Sequence, residues 1–150
     1  MVSLVGLAFV VWGYAMARHS PVLLWVPPPG TRHLTALLIL LAFILLAAGD
    51  VPRNSIKASV RQPAIVGVLV WAAAHLLANG MLADLILFGS FLIWAALNLV
   101  VTRRREALIG ATYPAGTLKG NAIAVVSGAA IWALVAFWLH ELLIGVRPMP

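Results

Sequence analysis

The stretch AIVGVLVWAAAHLLANGMLADLILFGSFLIWAALNLVV, residues 64–101, decides how this chain folds. It holds two apolar runs joined at Asn79 and Gly80, residue types that favour a tight turn. Its only ionisable groups are His75 and Asp84. A hairpin of this composition sits wholly within a membrane. Ionisable groups are costly in hydrocarbon, so an intramembrane histidine is a functional candidate by default.

The rest of the chain agrees with that reading. It is 63% hydrophobic and 9% charged, with a mean hydropathy of +1.05, whereas soluble domains are roughly a quarter charged. Five apolar stretches follow one another: about Val2 to Ala17, Leu34 to Gly49, Ala64 to Ala78, Met81 to Val101 and Ala122 to Ile144. Breakers separate them, notably the run Pro27, Pro28, Pro29, Gly30, while Pro63 suits a first helical turn. The first stretch has no cationic start, so it reads as a helix and not as a cleaved signal peptide. Each crossing needs roughly 20 apolar residues, so residues 1–150 make a single domain. The expected fold is all-α, a polytopic transmembrane helix bundle of about five helices with the lipid bilayer as its immediate partner. Trp12, Trp25, Trp71, Trp94, Trp132 and Trp138 are candidate belt residues at the interfaces.

Charge orients the bundle. If five crossings alternate, Arg53, Lys57, Arg61, Arg103, Arg104, Arg105 and Lys119 share one side, against Arg18, Arg32 and Arg147 on the other. The richer side belongs in the cytoplasm, which puts the amino terminus inside and the carboxyl terminus in the periplasm. The net charge of +6 is thereby explained by topology and anionic lipid, and no nucleic-acid partner is expected. The absence of cysteine excludes disulfides, thiolate ligands and cysteine nucleophiles.

With this topology all four histidines fall in the outer half of the membrane. His19 and His33 flank the first outer loop and read as interfacial side chains. His75 and His140 lie on outward-going helices. Neutral imidazole is the commonest metal ligand, and two histidines from facing helices can hold a haem iron axially. Their nitrogens must then stand roughly 4 Å apart, given iron–nitrogen bonds of about 2 Å. Trp71, His75 and Asn79 share a helix face, so Asn79 either holds the second ring nitrogen or caps the turn. Ala129, Ala133 and Ala136 lead to His140 as a smooth groove, which suits a flat macrocycle or a close helix neighbour equally. An interhelical hydrogen bond alone would also justify His75, and Asp84, like Asn79, can serve as a capping group.

Side-chain catalysis finds little support. There is no metalloprotease helix, no phosphate loop and no nucleophile motif, and the only carboxylates are Asp50, Asp84, Glu106 and Glu141. No inverted repeat suggests a transporter.

Several separated stretches carry a family resemblance: VWGYAMARHSPVLLWVPPPGTRH at 11–33, IKASVRQPAIVGVLVWAAAHLLANG at 56–80, LILFGSFLIWAALN at 85–98 and FWLHELLIGV at 137–146. The chain resembles the NnrU family of bacterial membrane proteins, whose wider relatives include the zeta-carotene isomerase of carotenoid synthesis. The resemblance implies an inner-membrane protein, encoded in some bacteria beside genes for nitrite and nitric oxide reduction. The isomerase binds haem b, and His75 of AHLLANG matches its histidine in the corresponding segment. Its further histidines after the LFG motif have no counterpart in SFLIWAALN, so His140 is named as second ligand on topology alone. The expected cofactor is haem b, held by His75 and His140 with Trp71 and Asn79 beside them, serving redox or isomerase-type chemistry on a hydrophobic small molecule. A non-catalytic assembly role beside membrane protein partners of a respiratory or denitrification complex is the alternative.

The chain departs from its relatives at two places. Many of them read Arg, His, Pro where it has Arg61, Gln62, Pro63, which removes any role for that histidine. Membrane methyltransferases share that signature and rank third as a functional reading. Family members also generally carry one more apolar helix before the segment matching Val2 to Ala17, so the resemblance implies a chain that is shortened or begins at an internal start.

Overall fold

The computed structural model describes residues 2–148 and is all-helical, with no strand among them. In chain order the helices are α1 (Val2–Ala17), α2 (Thr31–Asp50), α3 (Ser55–Val60), α4 (Pro63–Ala78), α5 (Leu82–Leu108), α6 (Leu118–Leu134) and α7 (His140–Ile144). A π-helical segment, Val135–Leu139, joins α6 to α7, so Leu118–Ile144 runs as one long rod.

All five apolar stretches are helical, but they are not equivalent as membrane crossings. Thr31–Asp50, Leu82–Leu108 and Leu118–Ile144 are long and apolar enough to span a bilayer, whereas α1 and α4 are apolar but shorter. At 1.5 Å per residue a 16-residue helix such as α4 reaches roughly 24 Å, against a hydrocarbon core of about 30 Å. Of the about five crossings expected, three are long and apolar enough to span a bilayer by length and composition. Helix ends also differ from expectation. α5 continues through Arg103, Arg104 and Arg105 to Leu108, because those cations are good helix formers and nothing there breaks the helix. The link after α2 contains the short helix α3, whose cap Asn54 accepts from the Lys57 N–H at 2.7 Å.

Burial is inverted relative to a soluble protein. Among the described residues six of the eight buried apolar ones are alanines, Ala42, Ala48, Ala72, Ala74, Ala95 and Ala124, while Leu37, Ile86, Ile93, Leu97 and Val126 are exposed. Water would drive the large side chains inward; in lipid no such force acts between helices, and small residues line the seams so that backbones can approach. Gly67 of α4 is such a seam position, since a Cβ there would stand 2.9 Å from the Ala42 carbonyl of α2. At Gly128 of α6 a Cβ would stand 2.5 Å from the Ile44 Cα.

Neighbour relations run in a row: α1 lies on α5, α5 on α4, α4 on α2 and α2 on α6. Two polar ends close it. At the basic end, Thr117 donates its N–H to the Arg53 carbonyl at 2.7 Å and Asn121 accepts from the Ser55 N–H at 2.6 Å. Buried Asn54 spends its amide on the Ala48 and Val51 carbonyls. At the opposite end the extended segment after α1 pairs with the α4–α5 turn, with Leu24 N–H to Gly80 O at 2.8 Å and Leu82 N–H to Val22 O at 2.9 Å. Arg18 reaches the Ile144 carbonyl there at 2.8 Å. The end of α1, the α4–α5 turn and the end of α7 thus meet at one pole, and the links 51–62 and 109–117 meet at the other.

Candidate functional site: the histidine pole

α4 ends where Asn79 leaves helical geometry, its N–H and its side-chain amide both donating to the His75 carbonyl, at 2.9 and 2.8 Å. Of its two expected roles Asn79 thus takes the cap; its amide is spent on backbone and does not hold the imidazole. The next residue admits no side chain, since a Cβ on Gly80 would stand 1.9 Å from the Trp25 carbonyl. The segment after α1 is thereby seated directly over the end of α4.

The His75 ring is half-buried in an aromatic setting. It stacks on Phe88 of α5 at 4.4 Å between centroids and 24° between planes, with Trp71 at 4.9 Å. Trp71 makes edge contacts with Phe88 and Phe91. These contacts hold the ring plane while Nδ1 meets the Trp71 carbonyl at 2.9 Å. A carbonyl can only accept, so Nδ1 carries the proton in this contact and, in the neutral ring, Nε2 is the bare nitrogen. An Nδ1–H anchored on backbone is the usual support of a metal-binding imidazole.

His140 follows the same pattern by a different route. It opens α7 directly after the π-helical segment, a feature frequent at functional sites. Gly145, at φ +75°, ends α7, and the chain beyond it brings the Val146 carbonyl to 2.7 Å from His140 Nδ1. Here too Nδ1 donates and Nε2 is the bare nitrogen of the neutral ring. His140 is half-buried. The alanine row before His140 is not the helix seam. α6 buries Gly120, Ala124 and Gly128, leaving Ala129, Ala133 and Ala136 half-buried.

Asp84 is 6% exposed. It accepts from the Met81 N–H at 3.3 Å, the capping role expected of it, and from the Tyr14 hydroxyl at 2.6 Å. Tyr14 was not singled out in the sequence; its one signal was a phenol in an otherwise apolar helix. His19 and His33 are exposed, in keeping with interfacial side chains.

Among the described residues no group of three or more His, Cys, Asp or Glu gathers to cage a bare metal ion. The donors present fit a metal that brings most of its own ligands and asks the protein for one or two axial imidazoles.

An all-helical chain with alanine and glycine seams, large apolar side chains outward and three helices of membrane-spanning length defines a membrane-protein class. Within that class the chain belongs to the NnrU family: the family profile described as NnrU protein matches residues 1–148, nearly the whole chain. Comparison with curated proteins and with solved structures found no match.

Proposed function

We propose that this NnrU protein is a small bacterial inner-membrane protein that binds haem b through His75 and His140 and supports redox or isomerase-type chemistry on a hydrophobic substrate. The observation that carries the reading is that both imidazoles use Nδ1 on a backbone carbonyl, which leaves Nε2 as the donor each can offer. Bound there, haem b would supply a one-electron centre and a Lewis-acidic iron. His75 and His140 would hold it, Phe88 and Trp71 would keep the His75 ring in plane, and the Asp84–Tyr14 pair would fix the start of α5 beside it. The half-buried alanine row supports the same reading, because it leaves a smooth surface leading to His140.

In this reading the five helical stretches alternate across the bilayer, with the basic pole cytoplasmic and the histidine pole periplasmic, as the excess of cations at the first pole favours. Electron exchange with membrane complexes that reduce nitrite or nitric oxide is a setting compatible with such a centre.

The test is the reduced-minus-oxidised absorption spectrum of the protein purified in mild detergent after haem supplementation. A b-type difference spectrum is expected, lost in His75→Ala at unchanged helical content. A wild-type protein that takes up no haem removes the proposal.

One observation favours the assembly reading. Among the described residues α1 rests on α5 alone and exposes Leu4, Phe9 and Trp12, as a helix shared with a partner would. Stable co-purification with respiratory subunits, unaffected by His75→Ala, would support it.

A further inference from the structure

The basic pole contains a second buried polar cluster, unrelated to the histidines. Glu106, 7% exposed, lies on the last turns of α5. Its Oε1 accepts from the Gln62 amide and from the Tyr113 hydroxyl, and Gln62 also reaches the Tyr113 oxygen at 3.0 Å. Its Oε2 is equally buried and, among the described residues, has no hydrogen-bond partner. A buried carboxylate oxygen without a donor is costly, so the cluster is built for a donor from outside it.

The surroundings restrict what that donor belongs to. Arg61 sits in a turn with φ +65° and ψ −53°, closed by the Gln62 N–H on the Val60 carbonyl at 2.8 Å. This is the rare, strained form of the three-residue turn. It sets Gln62 against Glu106 while Arg61 stays exposed. Arg103 is also exposed and donates to the Val60 carbonyl at 3.2 Å. A bare cation would face these guanidinium groups and gain a single carboxylate oxygen. A bare anion would face the carboxylate. A zwitterion with an N–H-bearing ammonium near an oxyanion satisfies both. The depth of the cluster narrows the source, because α5 passes from the apolar run ending at Val101 into Arg103, Arg104 and Arg105 here, at the lipid–water boundary of this pole.

We propose that Gln62, Glu106 and Tyr113, rimmed by Arg61 and Arg103, form a headgroup site for phosphoethanolamine lipid, the ammonium donating to Glu106 Oε2 and the phosphate meeting the arginines. Admission requires rotation of exposed side chains at the rim. Arginine is the residue suited to phosphate there, and the ammonium–carboxylate contact is charge-assisted.

The experiment is lipid retention by the full chain in nanodiscs made from equal parts phosphatidylethanolamine, phosphatidylcholine and phosphatidylglycerol, with the lipids that survive detergent extraction counted by mass spectrometry. Wild-type protein is expected to retain phosphatidylethanolamine over phosphatidylcholine by roughly tenfold, the worth of one charge-assisted hydrogen bond, because choline has no N–H to donate. Glu106→Gln puts an amide where Oε2 was and should bring retention to the bulk ratio. Asp50→Asn, at an exposed carboxylate of the same pole, should leave the preference intact. Equal retention of the two lipids by wild type overturns the proposal without reliance on any variant, as does a preference that survives Glu106→Gln. Binding of soluble glycerophosphoethanolamine with no lipid preference overturns the membrane source.

Discussion

His75 has two ring nitrogens, and the helix uses only Nδ1, on the Trp71 carbonyl. That division separates its role from that of Asn79, whose amide ends on the His75 carbonyl. Asn79→Ala should cost about 1 kcal/mol of stability, the usual net worth of a hydrogen bond, seen as a lower thermal midpoint in detergent, and should leave haem uptake intact. Loss of haem in that variant would put the amide in the site after all. His75 could be read from sequence because an ionisable residue in an oily run is conspicuous. Tyr14, Gln62 and Tyr113 could not, because each gains its meaning from a partner distant in the chain.

Among the elements, α6 shows how composition can mislead. The alanine row before His140 invited reading as groove or seam, but the seam is the glycine–alanine row Gly120, Ala124 and Gly128. Periodicity alone cannot distinguish the two, since both rows are small and only the position of α2 decides. Gly128→Leu should force α6 away from Ile44 and cost about 1–3 kcal/mol, as overpacking does; Ala130→Leu, on the exposed face, should cost little. Equal thermal midpoints in the two variants would contradict the seam. The π-helical segment was equally hidden, because VAFWL has no breaker to mark it. The cap of α3 was visible in principle as Asn54, yet the segment was too short for its apolar pattern to stand out.

For the whole molecule, composition was enough to give an all-helical fold and its apolar stretches, because hydrocarbon requires every backbone group to be satisfied internally and long unbroken apolar runs do so as helices, not as the alternating strands of a barrel. The row order of the helices was not legible, since it depends on which small faces meet. The chain has no cysteine, so single substitutions report cleanly on topology. Ser20→Cys and Lys119→Cys, at opposite poles, are expected to react with an impermeant thiol reagent from opposite faces of the membrane, Ser20→Cys from the periplasm. Labelling of both from one face would contradict the alternating arrangement and remove the periplasmic histidine pole.

The central claim is that two imidazoles, each with Nδ1 fixed on backbone, offer Nε2 to one iron. The electron paramagnetic resonance spectrum of the ferric, haem-loaded protein addresses it most directly. The account predicts a low-spin signal from two axial imidazoles in wild type, turning high-spin in His140→Ala; a high-spin wild-type spectrum, or a low-spin signal that persists in His140→Ala, would contradict it.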